Sequence, residues 1–285
     1  MCRRACTLLQ RALDRADLET RHFWLTCFLA RGGDPGTEAI AAALDADDPE
    51  LRILGLRLLA AGPGDTALRS RVDGMLFSSD LRLRTQAVEA GLRFANQSAW
   101  LICKQLSRSA DPRACRLLAT LGDRAEVEAM ARVAAASPKA ETLLALGLSG
   151  RPPALERCLG HLDHAEHGAV ARRAFSLVTG HDGTGDAEAL HGWWQRERAR
   201  FDDDRRYRDG HLLEAGALRR LLGAASPDQR PALVDELRIR SGGRLVLVDP
   251  RLAPPEAWRR CVDALDDAVL GTIDLEAGFP WTAAS

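Results

Sequence analysis

The sequence is poor in the residues that build sheets. Valine and isoleucine together number 16 of 285, aromatic residues make up 5%, and there is a single tyrosine. Strands draw on β-branched and aromatic side chains. Their scarcity argues against a sheet-based fold, including the parallel-sheet enzyme folds whose strands read as Val/Ile runs. Lysine is nearly missing too, since 37 of the 39 basic residues are arginine and only Lys104 and Lys139 remain. We read this mainly as biased composition rather than as 37 bidentate binding sites. Neither sign of charge is in excess, with 39 basic against 40 acidic residues, so no nucleic-acid or membrane-surface role is expected. There is no CxxC pair. Seven cysteines, at 2, 6, 27, 103, 115, 158 and 261, are scattered through helical stretches. That usage predicts reduced thiols packed as small hydrophobes in a cytoplasmic protein. No uncharged run approaches the roughly 20 residues that span a bilayer. The opening MCRRACTLLQRALDRA is interrupted by Arg11, Asp14 and Arg15 and does not read as a signal peptide.

What is abundant is leucine and alanine, 44 and 47 residues, the best helix formers. One segment type recurs: a small polar or acidic residue, often proline, then an arginine-bearing Leu/Ala helix. It appears at Asp48-Pro49, Asp80-Leu81, Asp111-Pro112, Ser137-Pro138, Gly168-Ala169 and Ser226-Pro227. The second residues lie at 49, 81, 112, 138, 169 and 227, giving gaps of 32, 31, 26, 31 and 58, the last close to two periods. Asp or Ser before Pro is a helix start, because the side chain caps free N–H groups and proline in the first turn forfeits no bond. Each of the first five copies follows another apolar stretch, Ile40–Leu44, Val72–Phe77, Trp100–Leu106, Val127–Val133 and Leu155–Leu162. A period near 30 without strand signal fits paired antiparallel helices, which bury their apolar faces only by stacking. The expectation is an all-α, right-handed α-α superhelix, a HEAT-like solenoid with an irregular C-terminal end. The competing reading is an irregular helical bundle whose helix lengths happen to agree.

Helices over residues 3–15 and 18–31, the second carrying His22, Phe23, Trp24 and Phe28, read as a pair capping the first repeat. Residues 1–180 form the repeats. After a turn-rich break at His181–Asp186, residues 181–285 continue the ladder, in one elongated domain of seven to nine pairs. This part holds a helix with Trp193-Trp194, the charged stretch Asp202–Arg206, and helices near 214–223 and 227–239. It also holds the only stretch that reads as extended, Gly242–Pro250, and a helix from Pro255 to about Leu265. Of the few valines, those at 234, 246, 248 and 262 fall in or beside this irregular end.

Three constellations are weighed for chemistry. Cys158, His161, His164 and His167 have zinc-ligand types in close spacing. Steps of three residues drift about 60° each along a helix, however, and the segment crosses a turn, so surface histidines are the expectation. Asp202, Asp203 and Asp204 beside Arg205 and Arg206 read as a solvated loop rather than a paired acid and base. Cys103 and Cys115 lie in apolar helical runs, where a thiol is inert packing. No Gly-rich phosphate loop, HExxH or GxSxG occurs. The expectation is no enzyme and no cofactor or metal. Adjacent helical residues point about 100° apart, so Trp193 and Trp194 suit two tasks: one packing on the preceding repeat, the other meeting the Tyr207 loop or a partner.

The repeats resemble HEAT repeats. Trp193-Trp194, Arg198, Phe201, Arg205-Arg206-Tyr207 and Gly210, after Ala174–Gly180, give a more specific likeness. They resemble a bacterial family of HEAT-repeat proteins associated with type VI secretion gene clusters. In that family the ladder ends in an A-x-x-x-I-T-G-like segment, followed by a WW helix, an Arg-Tyr-x-x-Gly turn and a late proline-containing Trp-Arg segment. Here the last element would be Pro255–Arg260, with Trp258. The likeness covers residues 40–265 and is most specific over 174–212. It departs in starting close to the first repeats and in the irregular Asp249–Pro254. It implies a protein partner, namely a secretion-system component, effector or toxin, and carries over no catalytic residue. The candidate binding or joint residues are Trp193, Trp194, Arg205, Tyr207 and Trp258. A scaffold or adaptor is the leading expectation, an immunity protein that neutralises a cognate toxin is the alternative, and a HEAT-like lyase or other enzyme is the third. The last calls for a deep pocket with convergent polar groups.

Overall fold

The computed structural model describes residues 17–62 and 66–279. The helix expected over residues 3–15 lies outside them. The described chain is helical apart from turns and one two-stranded ribbon. It forms two compact units, one of residues 17–102 with 222–273 and the other of residues 103–221 with 274–279.

The first unit opens with α1 (Leu18–Arg31), α2 (Thr37–Leu44), α3 (Pro49–Ala61), α4 (Arg69–Met75) and α5 (Leu81–Arg93). The chain leaves it within α6 (Gln97–Arg108). Starts fall where the Asp signals place them. Asp48 accepts the N–H of Glu50, and Asp80 accepts those of Arg82 and Leu83, which satisfies donors that no carbonyl within the helix reaches. Pairing follows the repeat: α3 packs on α2, α5 on α4, and α1, α3 and α5 stack side by side. The Leu-rich face of α3 (Leu51, Leu54, Leu58 and Leu59) is buried in this stack.

The second unit repeats the scheme with α7 (Pro112–Leu121), α8 (Arg124–Ala136), α9 (Ala140–Ser149), α10 (Pro152–Leu159) and α11 (Gly168–Thr179). Helices α7, α9 and α11 stack side by side, while α8 and α10 form the facing layer. Successive helix pairs packed in this repeating way make an all-α solenoid fold. Asp111 caps α7, and Asp123 with Glu126 forms a reciprocal capping box at α8. The fourth copy starts later than its proline suggests, at Ala140, because Ser137 is taken up as the C-cap of α8. Small residues set the spacing: a Cβ on Gly147 would lie 2.5 Å from Ala174 Cα, so α9 and α11 meet almost backbone to backbone.

Beyond α11 come α12 (Ala187–Glu197), the ribbon β1 (Tyr207–Arg208) and β2 (His211–Leu212), α13 (Leu218–Ala224), α14 (Arg230–Arg240), α15 (Pro255–Asp263) and α16 (Asp267–Leu270). Helix α14 begins three residues after Pro227, because Ser226–Gln229 close a turn of their own. It lies against α5 and α3, near the start of the ladder, whereas the repeat period by itself sets it at the far end. Every residue from Ala232 to Ser241 is buried, including Asp235, Glu236, Arg238 and Arg240. Arg240 pairs with Glu236 at 2.9 Å, Arg57 reaches Asp249 at 2.9 Å, and Arg238 donates to Leu247 O at 2.6 Å. Arg93 donates to Leu59 O at the end of α3. Burial, reinforced by the nearby charge of Arg238, pushes Arg93 down to about 10.

Two substitutions separate paired from uncompensated charge. Glu236→Ala removes a buried carboxylate paired with Arg240 and should lower urea-unfolding stability by about 3 kcal/mol or more. Arg93→Met keeps the volume and removes a poorly compensated charge, and should leave stability unchanged or raise it.

Candidate functional site

Helices α9 and α11 end on glycines in the left-handed conformation, Gly150 (φ 72) and Gly180 (φ 72), the usual way a helix is stopped. Their last carbonyls would be orphans. The ribbon supplies the donors. Its turn, Asp209 (φ 50) and Gly210 (φ 75), has both central residues left-handed, the tight geometry that suits a two-residue hairpin. The Tyr207 N–H donates to Gly150 O at 2.7 Å, that of Asp209 to Leu177 O at 2.9 Å, and that of Gly210 to Val178 O at 3.0 Å. The Arg206 side chain donates to Ser149 O at 2.8 Å and Leu275 O at 2.6 Å, and that of Arg208 to Leu148 O at 2.7 Å. Residues 206–210 thus close two helix ends. Arg206 and Arg208 are each 1% exposed. Glu276 faces them: it accepts the Arg206 N–H at 3.0 Å and lies 3.4 Å from Arg151. Burial, then the charge of Arg206, holds Arg151 below the usual arginine range.

Aromatic rings stand on this lock. Tyr207 is buried, its hydroxyl accepts the Asp202 N–H at 2.9 Å, and its ring meets Phe201 edge to face at 4.9 Å. Phe201 meets Trp194 at 5.2 Å, and the Arg198 guanidinium lies over the Trp194 ring. Trp194 is buried. Trp193 is half-buried, its ring edge-on to Phe175 at 5.4 Å and to His181 at 5.1 Å. Phe175, fully buried on α11, lies within ring contact of both tryptophans, so the two share a core neighbour despite their divergent directions. His181 is held in place, its Nδ1 accepting the Gly183 N–H at 3.0 Å.

The sequence candidates therefore separate. Trp193, Trp194 and Tyr207 come together in one cluster. Arg205 sits at its edge, exposed, with its guanidinium 3.9 Å from Glu276. Trp258 belongs to the other unit, 1% exposed, its indole N–H donating to Leu222 O at 3.3 Å and its ring under Arg230. Arg208 was not singled out from the sequence, and Arg206, read there as part of a solvated loop, is instead buried and holds the lock with it. Their signal was the Arg-x-Arg spacing, which on a strand sends both side chains to one face.

The remaining constellations also find places. The Cys158 thiol points into the core toward Leu143 O and Ala154 O, away from the three-histidine turn, where His164 and His167 stack at 4.6 Å. No group of three or more His, Cys, Asp or Glu positioned to hold a metal occurs among the described residues. Asp203 pairs with Arg198 and Asp204 with Arg124 at the surface. Burial pushes the Cys115 and Cys158 thiols up to about 12, and raises Cys103 further. No helix among the described residues is long and apolar enough to cross a membrane. Compared with protein-family models and with curated proteins, the chain matches none.

Two measurements test this geometry. A Cβ on Gly150 would lie 2.5 Å from Tyr207 O, and one on Gly180 2.5 Å from Asp209 O. Gly150→Ala and Gly180→Ala should each lower stability by about 2 kcal/mol or more. Gly223→Ala, with open space around it in α13, should leave stability unchanged or raise it by up to about 1 kcal/mol. In the folded chain at pH 8, mass spectrometry after iodoacetamide treatment should find Cys103, Cys115 and Cys158 unmodified, because thiolate is scarce and access closed.

Proposed function

We propose that the chain is a non-enzymatic protein-binding scaffold, an adaptor or accessory factor that engages another protein through the face of α12. The observation that carries this reading is Trp193: a large aromatic ring, half-exposed, held against Phe175 and His181, with Phe175 in turn against Trp194. Interfaces draw most of their energy from such anchors, and a ring already fixed loses little entropy on binding. A solenoid fold supports the same reading, since stacked helix pairs leave long helix faces on the surface. The link to type VI secretion rests on the resemblance of the WW helix and Arg-Tyr-x-x-Gly turn. It makes a secretion-system component or effector the expected partner.

The test is affinity purification of the full chain from its native host, with wild type and Trp193→Ala compared by quantitative mass spectrometry. The adaptor reading expects a secretion-system component or effector that is reduced at least tenfold by Trp193→Ala, while the melting temperature moves by only a few degrees. Trp194→Ala should unfold the cluster instead, at about 3–5 kcal/mol. Recovery of a single toxin in a tight one-to-one complex replaces the adaptor with an immunity protein. A partner set identical in wild type and Trp193→Ala overturns the assignment of this face.

A further inference from the structure

The first unit carries a cleft of about 820 Å³ between the end of α1 and α15, within the size range of ligand and peptide sites. Helix α15 divides its faces sharply. Trp258 and Val262 point into the core, while Ala257, Cys261 and Ala264, spaced as one face of a helix, line the cleft. Their small side chains leave a shallow floor that another helix can approach closely. The segment after α14 forms a wall by alternation: Leu245 and Leu247 are buried, and Val246 turns outward, 48% exposed. Val246 also fixes the wall to the floor, its carbonyl accepting the Cys261 thiol.

Among the described residues, the charge lining this cleft has one sign. Arg31, in the last turn of α1, and Arg260, on α15, both border it. In the first unit some arginines meet carboxylates, as Arg57 does Asp249 and Arg71 does Asp45, and others meet carbonyls, as Arg93 and Arg52 do. Arg31 and Arg260 meet none among the described residues. An apolar trough bordered by two such guanidiniums is the complement of an amphipathic helix with acidic flanks. A basic segment would be repelled, and the chain's own opening residues, with Arg3, Arg4, Arg11 and Arg15 against Asp14, have the wrong sign.

We propose that this cleft seats an acidic amphipathic helix of a partner protein, its small apolar side chains on Ala257, Cys261 and Ala264 and its carboxylates on Arg31 and Arg260. This rests on the scaffold reading and specifies the partner's chemistry at a second place.

The test uses the full chain and two labelled synthetic helical peptides that share one Ala/Leu stripe, one flanked by glutamates and the other by lysines. Fluorescence anisotropy should show the acidic peptide binding about tenfold or more tightly than the basic one, and weakening as salt rises. Arg31→Glu with Arg260→Glu should invert the preference. Both side chains are exposed, so the urea midpoint should stay put and loss of fold is controlled for. Cys261→Trp fills the floor and should abolish binding of both peptides, with the same midpoint measured beside it. Equal binding of the two peptides, or a preference for the acidic peptide that survives the double reversal, overturns the proposal. The scaffold reading is untouched by that result, because its own test runs through Trp193 and a host partner. It falls only if Trp193→Ala changes nothing there.

Discussion

Short helices have many ends, and the ends govern this structure. Among the described residues the longest helix, α1, has 14 residues, and every helix leaves four carbonyls without a partner in its own ladder. Stacking puts many of those ends where water is scarce. Arginine answers the need better than any other side chain, because its planar fork carries five donors and reaches several ångströms. Arg93 reaches Leu59 O, Arg206 reaches Ser149 O, Arg208 reaches Leu148 O, and Arg230 reaches Ala225 O. Arg52 does the same for the turn carbonyls of Ala46 and Asp47. A composition bias in the sequence thus becomes a structural device in the fold. Lysine, a point charge with three donors on one atom, would not bridge two carbonyls in this way.

Burying a guanidinium is expensive unless its surroundings supply negative potential. Helix C-termini do so through their aligned carbonyl dipoles, and a few carboxylates supply the rest. Glu276 serves Arg151, Glu236 serves Arg240, and Asp249 serves Arg57. Arg93 shows the limit of the device. It has a helix carbonyl, but burial and then the charge of Arg238 disfavour its protonated form.

Most of the ladder was legible because its signals are local. Asp before the first turn, proline at its start and Leu/Ala periodicity all act within a few residues, and α3, α5 and α7 begin where these place them. The seat of α14 was not legible. Its sequence, with Asp235, Glu236, Arg238 and Arg240, reads as a helix with a solvated face, yet all four are buried. Their pairing with each other and with loop carbonyls is a tertiary fact that no helical period encodes. The cluster was half legible. Trp193, Trp194 and Tyr207 stood out by rarity and bulk. Arg206 and Arg208 looked like two more surface arginines, and their role depends on two glycine-terminated helices lying 30 residues apart in sequence.

The lock and the Trp193 surface are one mechanical object. Tyr207 is held by Gly150, Phe201 by Tyr207, Trp194 by Phe201, and Phe175 bears on both Trp194 and Trp193. Each ring in this series fixes the rotamer of the next, so the exposed edge of Trp193 is positioned by hydrogen bonds at the far end of α9. A binding surface built this way does not need to order itself when a partner arrives. It also adapts little, because Trp193 packs on Phe175, which bears on Trp194 as well. A surface held in this way would favour one partner shape over many, in keeping with the proposed scaffold role.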